Sequence, residues 1–245
     1  MKKTDSAFLK KSMAVAFRHV IDRESCLIDD KWPADENLYL LNPERLRLFV
    51  YLCAHPCVTA GTLAKIASRS KSSVVWHLKK LVAGGFVSQT RAYVNKNVFY
   101  PSGMATAGDI AILSDLYGYS AGNIFLANRR FPGSTATELC RYAGIEYGVC
   151  IKNLKRLQSH GLVYRVKDGR FKRYYPTKKM DILHKNRKNT AMNFRNNLLV
   201  HLKREIYAVE ILLSTPEKIS MKVSGNGKNA VISIPINPYS TFSGK

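Results

Sequence analysis

The side chains best suited to chemistry in this sequence are cations, and they outnumber the acids. The 245 residues include 39 Lys and Arg against 17 Asp and Glu, for a formal net charge of +22 at pH 7. A surplus of this size calls for a polyanionic partner, and nucleic acid is the usual one. An anionic membrane surface is the alternative.

Acids are missing where the cations are dense. No carboxylate occurs between Glu44 and Asp109, a segment with nine Lys and Arg. From Glu146 to Lys188, thirteen Lys and Arg stand against three acids. A segment without acids keeps its positive field uncancelled, which suits phosphate contact. The same scarcity disfavours nuclease chemistry with carboxylate-bound metals, and we expect no catalytic activity.

Two short strings resemble a metal site and a phosphate loop. Cys53-Ala-His55-Pro-Cys57 offers metal-ligand types, but Cys53 falls on an apolar helix face and no second ligand pair is evident. Ser224-Gly-Asn-Gly-Lys228 lacks the spacing of a phosphate loop, the Ser or Thr after Lys and a following helix. We therefore expect neither a metal nor a cofactor.

Cysteine usage and hydropathy bear on the compartment. The five cysteines follow no disulfide-scaffold spacing, and an odd count leaves one unpaired. The first apolar stretch is interrupted by Lys10, Lys11 and Arg18, and no apolar run approaches membrane-spanning length. We expect a soluble, cytoplasmic, nucleoid-associated protein with no membrane partner.

The segment that would position the cations occurs twice. A shift of 76 residues places Pro56 on Pro132 and Thr59 on Thr135 without a gap. The other identities up to Val87 fall at apolar, glycine and lysine positions: Ala60/Ala136, Leu63/Leu139, Ala67/Ala143, Leu78/Leu154, Lys79/Lys155, Leu81/Leu157, Gly85/Gly161 and Val87/Val163. This pattern predicts that both segments share one fold.

Each copy predicts three short helices and a hairpin. In the first copy we expect a helix over Arg45–Ala54, a second helix after a Thr59 N-cap, a turn over 68–70 and a third helix ending near Ala83. Glycine beyond the last turn ends that third helix.

The second copy adds two local signals. Thr135-x-x-Glu138 has the form of a capping box, and 163–175 alternates as a hairpin with Asp168-Gly169 as its turn. The order helix, helix, turn, helix and hairpin is the winged helix-turn-helix plan.

The run Ser72-Ser-Val-Val-Trp-His-Leu-Lys-Lys-Leu-Val-Ala-Gly-Gly-Phe-Val87 resembles the recognition helix and strand entry of ArsR/MarR-type winged-helix transcriptional regulators. The pairing of two such segments, over about residues 43–101 and 120–177, resembles tandem regulators of archaeal type. The resemblance implies binding of double-stranded DNA by the third helix in the major groove and by the wing beside it. The cysteine motif of metal-sensing members is absent, so metal sensing is not implied.

Helical spacing indicates which residues would contact DNA. Opposite the buried stripe of the third helix lie Ser72, Trp76 and Lys79. The candidates are Arg69, Lys71, Ser72, Ser73, Trp76, Lys79, Lys80, Arg91 and Lys96 in the first copy, and Lys152, Lys155, Arg156, Arg165, Lys167, Arg170, Lys172 and Arg173 in the second.

Some of these candidates carry an alternative or a preference. Trp76 would pack either on a sugar or thymine methyl or within its own domain. Lys167 and Arg170, at the tip of the second hairpin, are favoured for backbone or minor-groove contact. Glu146 would repel phosphate where the first copy has Ser70, so the second helix should bind less intimately.

The expected fold class is mainly α with small β-wings (α+β), with two tandem winged helix-turn-helix domains. The expected parts are an N-terminal helix and acidic linker (1–42), the first winged-helix domain (43–108), the second (109–180), a long C-terminal helix (181–215) and a C-terminal hairpin and tail (216–245).

The predicted C-terminal helix carries a three-four alternation of apolar residues. Its members are Met192, Leu199, Leu202, Ile206, Val209 and Leu213. Such a stripe could form the seam of a homodimer or pack across both winged domains.

Two functions lead. The first is a transcriptional regulator that reads double-stranded DNA with two linked modules. The alternative is a sequence-independent architectural or chromatin protein, because the third helices carry few long polar side chains suited to base readout. An interaction adaptor built on winged helices and an RNA-binding protein are further hypotheses.

Overall fold

The structure is a computed structural model, and it describes residues 26–27, 39–40, 42–92, 96–118, 120–204, 208–225 and 228–243. The N-terminal helix, which we expect over residues 5–21 of the segment 1–42, lies outside these residues. The chain divides into two compact units. Among described residues, the first unit comprises 26–114 and 186–240, and the second unit comprises 115–185 and 241–243.

The first unit contains the expected order of three helices and a hairpin. After strand β1 (Cys26–Leu27) come helices α1 (Pro43–Ala54), α2 (Ala60–Ala67) and α3 (Lys71–Ala83), then strands β2 (Val87–Ala92) and β3 (Lys96–Pro101). The antiparallel hairpin β2–β3 is called the first wing.

Short polar side chains fix where these helices begin. The side chain of Asn42 accepts the Arg45 amide at 3.2 Å, and Pro43 pre-sets the first turn of α1. Thr59 and Ser70 cap α2 and α3 in the same way, each accepting an amide at 3.2 Å. Between them Ser68 adopts a left-handed φ of 53°, which ends α2 and turns the chain into α3.

The second unit repeats this order. Helix α4 (Ala107–Gly118), whose residues up to Ser114 belong to the first unit, leads into it. The second unit continues with α5 (Ala121–Arg130), strand β4 (Ser134–Thr135), α6 (Ala136–Ala143), α7 (Tyr147–Ser159), strands β5 (Val163–Asp168) and β6 (Phe171–Pro176), and α8 (Lys179–Lys185). The bounds of α6, α7 and β5 are those of α2, α3 and β2 displaced by 76 residues. The hairpin β5–β6 is called the second wing.

Two kinds of repeated residue, the glycine after the third helix and the threonine N-cap, have local structural roles. Gly85 and Gly161 follow α3 and α7 with left-handed φ angles of 77° and 66°, a conformation that glycine adopts without strain. Thr135 and Glu138 form the predicted capping box, because the Thr135 amide donates to Glu138 at 2.8 Å and the Thr135 hydroxyl oxygen accepts the Glu138 amide at 3.4 Å. The Thr135 amide also lowers the pKa of Glu138.

The turn of the second wing differs by one residue from the prediction. Asp168 stays in the ladder opposite Phe171, so the two turn residues are Gly169 and Arg170 rather than Asp168 and Gly169. Gly169 has a φ of 55°, and glycine at the first turn position is typical of one class of two-residue hairpin.

The prediction of one helix over 181–215 is wrong in two respects: a turn at 186–187 separates α8 from the next helix, and that helix ends at Arg204. Helix α9 (Lys188–Arg204) is followed by strand β7 (Ala208–Ser214). Val209 and Ile211 of β7 stand opposite two buried residues of the neighbouring strand. Pairing in a sheet therefore decides the structure of an aliphatic run that also fits helical spacing.

The buried stripe of α9 differs from the predicted seam as well. It consists of Ala191, Phe194, Leu198 and Leu202, whereas Met192 is exposed and Leu199 only partly buried. Ile206 lies outside the described residues.

The predicted C-terminal hairpin is present as β8 (Lys218–Gly225) and β9 (Lys228–Pro235), within a larger sheet. The antiparallel order is β1-β9-β8-β7. One face buries aliphatic side chains of β8 and β9, where α1 packs against β9 and α9 against β7.

A buried carboxylate joins distant parts of the first unit. The Asp109 carboxylate accepts the Thr106 amide at 2.8 Å, the Tyr239 hydroxyl at 2.7 Å and the Arg187 guanidinium. A buried charge is tolerated when it is paired and hydrogen-bonded in this way.

We expect Thr135→Ala to lower the free energy of unfolding by about 1 kcal/mol near pH 7. The pKa of Glu138 is lower when folded than its usual 4.5, so its contribution is present above that value and is lost as the pH falls through the folded pKa. The cost of Thr135→Ala should shrink as the pH of the denaturant titrations falls through the folded pKa of Glu138. Thr59→Ala is the control, because Thr59 bonds the Thr62 hydroxyl rather than a carboxylate, and its cost should stay constant. Equal pH dependence of the two costs would contradict the capping-box role.

Candidate nucleic-acid interface

Helix α3 presents a polar face opposite its buried stripe, as the spacing predicts. Val74, Leu78 and Leu81 are fully buried, whereas Ser72, Trp76, Lys79 and Lys80 are exposed. The exposed side combines one large ring, a hydroxyl and two ammonium groups.

Trp76 is 54% exposed. Its ring centroid lies 4.8 Å from that of His77, edge to face, and 5.8 Å from the ammonium nitrogen of Lys80. The indole thus contacts two residues of its own helix, and about half its surface is open to solvent. His77 points further inward, and burial lowers its pKa, which favours the neutral ring and a packing role.

Arg69, which the sequence predicts to contact DNA, is already paired with a carboxylate. Its guanidinium binds the Glu44 carboxylate through two hydrogen bonds of 3.0 Å, and Arg47 shares that carboxylate. The bond from Arg69 is the main reason that the pKa of Glu44 is lowered. Sequence reasoning missed this pair because the partners are 25 residues apart.

The other candidates at the start of α3 differ in access. Lys71 and Ser72 are exposed, and the Ser72 hydroxyl lies 3.1 Å from that of Ser70. Ser73 is half-buried. Lys71 and Ser72 are therefore the more accessible.

In the first wing, the strand register separates the two candidates. Arg91 stands opposite Asn97, while Lys96 stands opposite Ala92 in the adjacent pair, so the two cations lie on opposite faces. Both are exposed.

In the second unit, Lys152, Lys155 and Arg156 are exposed on α7 as predicted. Arg156 lies 3.4 Å from the carboxylate of Asp115, which also bonds His160 at 2.8 Å, so only the two lysines make no ion pair with a described residue. The first turn of α7 is more apolar than that of α3, because Tyr147 and Val149 are exposed there. Sequence reasoning had not singled out Val149.

The second wing concentrates cations on one face. Arg165 stands opposite Tyr174, and Lys167 stands directly opposite Lys172. These three cations are exposed on the face whose base is buried through Val163 and Tyr174. Like charges in directly opposed positions destabilise a hairpin by a few tenths to about 1 kcal/mol. A polyanion against this face would remove that repulsion.

The remaining wing candidates have other neighbours. Arg173 is on the opposite face, where it bonds Asp168 at 2.5 Å and the Gly133 carbonyl at 3.0 Å, so its charge is already balanced. Arg170 lies in the turn, with its guanidinium carbon 4.9 Å from the Phe171 ring centroid, and it is exposed.

Two further features of the described residues concern metal ligands and membrane-spanning helices. In the part of the chain that the structure describes, no cluster of three or more His, Cys, Asp or Glu is placed to hold a metal ion. Burial raises the pKa of the thiols of Cys53 and Cys57, which disfavours the thiolate form that binds metals. No described helix is both long and apolar enough to span a bilayer.

Comparison with protein families bears on the first of these segments. Residues 40–90 match a family model described as a helix-turn-helix domain. That range contains α1, α2, α3 and the start of the first wing. No curated protein matches the chain. The match supports a DNA-binding helix-turn-helix regulator.

Trp76→Ala should leave stability within about 0.5 kcal/mol of the parent, because the ring is mostly solvated. Leu78→Ala, two residues along the same helix, should cost about 2 to 5 kcal/mol because Leu78 is fully buried. Denaturant titration of both variants checks this pair of predictions. A cost for Trp76→Ala comparable to that of Leu78→Ala would mean that the indole is a core residue.

Proposed function

We propose that this protein is a transcriptional regulator that binds double-stranded DNA through two tandem winged helix-turn-helix domains of ArsR/MarR-like type. The observation that carries the proposal is the exposed face of α3, with Trp76, Lys79 and Lys80, inside the segment that matches a helix-turn-helix domain. The equivalent bounds of α6 and α7 support a second domain of the same kind.

In the first domain, α3 enters the major groove. Helix dimensions match that groove, and helix-turn-helix proteins place the start of this helix on base edges. Ser72 then donates to or accepts from a base, Lys79 and Lys80 bind phosphates or guanine, and Trp76 packs on sugar or a thymine methyl. Arg69 stays with Glu44 and steadies the turn instead.

In the second domain, the wing contributes more than the helix. Helix α7 begins with a Glu146 N-cap that makes no side-chain capping bond, and its carboxylate weakens anion binding at the helix start. Gly148 stands where α3 has Ser72, which removes a side chain for base contact. Arg165, Lys167 and Lys172 would instead lie along the phosphate backbone, with Arg170 at the minor groove.

A second candidate function is sequence-independent architectural binding. It is favoured by α7, whose exposed face offers lysines but no Asn, Gln or unpaired Arg for bidentate contact with a base. Two linked domains raise the local concentration of each for DNA under either function. We propose no catalytic role, and we place the protein in the cytoplasm with the nucleoid.

The first test neutralises four cations together. A variant with Lys79, Lys80, Lys167 and Arg170 changed to Gln should bind duplex far more weakly, with a salt slope lower by about 3 to 4, since each phosphate contact contributes about 0.9. The measurement is fluorescence anisotropy against salt concentration. A control with Lys203, Arg204, Lys218 and Lys222 changed to Gln loses the same charge from the C-terminal sheet and α9, and should keep most of the affinity and slope. Unchanged affinity in the first variant would refute the proposal.

The second test separates the roles of helix and wing. Lys79→Gln with Lys80→Gln should reduce the preference for a duplex selected from a random DNA pool over unselected duplex. Lys167→Gln with Lys172→Gln should weaken both duplexes by the same factor, because phosphate contacts carry no sequence information. Competition titration at one salt concentration gives both ratios. A parent protein with no preference at all would favour the architectural function.

A further inference from the structure

Strand β7 forms one edge of the four-stranded sheet in the first unit. It pairs with β8 on one side, and among the described residues no strand pairs with its other side. Alternate residues of an edge strand point their amide and carbonyl groups outward. Such an edge is a template for another strand unless the sequence protects it.

The side chains of β7 do not protect the edge. Ile211, Leu212 and Leu213 are 46%, 50% and 44% exposed. Ile211 stands opposite Met221 on the buried face, Leu213 opposite Ser220 on the other face, and Leu212 occupies the irregularity between them. Proteins usually protect free edges with charges, Pro or bulges. Strand β7 contains no Lys or Pro, its one charge (Glu210) stands opposite Lys222, and its one irregularity is at Leu212. Apolar surface therefore flanks the open hydrogen-bonding groups on both faces.

Helix α9 extends this apolar surface into a second layer. Arg195 donates to the Ser214 hydroxyl at 2.8 Å, so this flank of α9 lies beside β7. At 100° per residue, Leu199 and Met192 come next around the helix on that flank. Met192 is 51% exposed. The opposite flank carries His201, which contacts Phe86 instead.

We propose that β7 pairs in antiparallel fashion with β7 of a second copy of this chain, joining two sheets into one of eight strands. Two edges related by a two-fold axis are self-complementary, because each offers the other the same donors and acceptors. The flanks of α9 then face each other across the axis. Met192 and Leu199, two residues of the predicted helical seam, then lie in the dimer interface.

Charge selects a second copy over other occupants. The chain carries +22, so two copies repel wherever their cations meet. The only charge on β7 is Glu210, which stands opposite Lys222, so the edge is locally neutral. The strand itself offers no cation to a nucleic acid or an acidic protein, and Arg195 beside it is hydrogen-bonded to the Ser214 hydroxyl. The inference does not depend on what the winged domains bind.

The size of the surface fits a small dimer. Seven paired residues span about 24 Å, and a strand edge with a helix beside it is about 20 Å wide, which gives about 500 Å² per copy. Two copies together then bury roughly 1,000 Å², which is at the lower limit for a biological interface.

Sedimentation equilibrium of the full chain in high salt tests the proposal. The parent should have twice the mass of one chain. Ile211→Lys combined with Leu213→Lys should give the mass of one chain, because four like charges would meet across the axis. Val231→Lys is the matched control: Val231 is 41% exposed on β9, which is flanked by β8 and β1, so this variant should remain a dimer.

Hydrogen exchange on the unmodified chain gives a result independent of the variants. Protection of β7 amides should rise with protein concentration, while that of β8 stays constant. A parent with the mass of one chain, or a dimer that survives both lysines, would overturn the proposal. So would concentration-independent protection of β7, because another segment of the same chain would then cover the edge. If the double variant unfolds, the concentration dependence decides.

Discussion

Burial of one stripe on α3 is the constraint on which the candidate interface depends. Val74, Leu78 and Leu81 are held in the core, so the helix has one rotational setting in which Trp76, Lys79 and Lys80 face solvent. Each buried aliphatic contributes roughly 2 to 5 kcal/mol, far more than any exposed cation. The Ser70 cap then fixes where the helix starts. Apolar packing therefore determines the direction in which the polar face of α3 points.

The two repeated segments share the same helix positions and differ in the exposed side chains that these helices carry. The N-cap Ser70 of α3 corresponds to the N-cap Glu146 of α7, and Trp76 corresponds to Lys152, while the bounds of the two helices are related by a shift of 76 residues. The second wing adds a like-charged pair, Lys167 and Lys172, that hairpin stability alone does not favour. The exposed residues thus differ between the two segments while the helix positions are the same. Two DNA contacts of unequal type would require this combination.

Sequence reasoning was accurate where the signal is local and repeated. The 76-residue shift, the caps at Thr59 and Thr135 and the α3 periodicity all reflect interactions within a few residues. It failed where partners are distant, as with Glu44 and Arg69, whose ion pair only the folded chain creates. Strand β7 was mistaken for helix because its aliphatic spacing fits both periods, and its pairing with β8 decided the outcome.

The buried carboxylate of Asp109 has a consequence for synthesis on the ribosome. Two of its partners, Arg187 and Tyr239, emerge 78 and 130 residues later. The first unit is thus discontinuous along the chain, and residues 115–185 are made before it can close. Domains fold as units during translation, so the first unit completes its folding only after the last strand of the sheet and Tyr239 have left the exit tunnel.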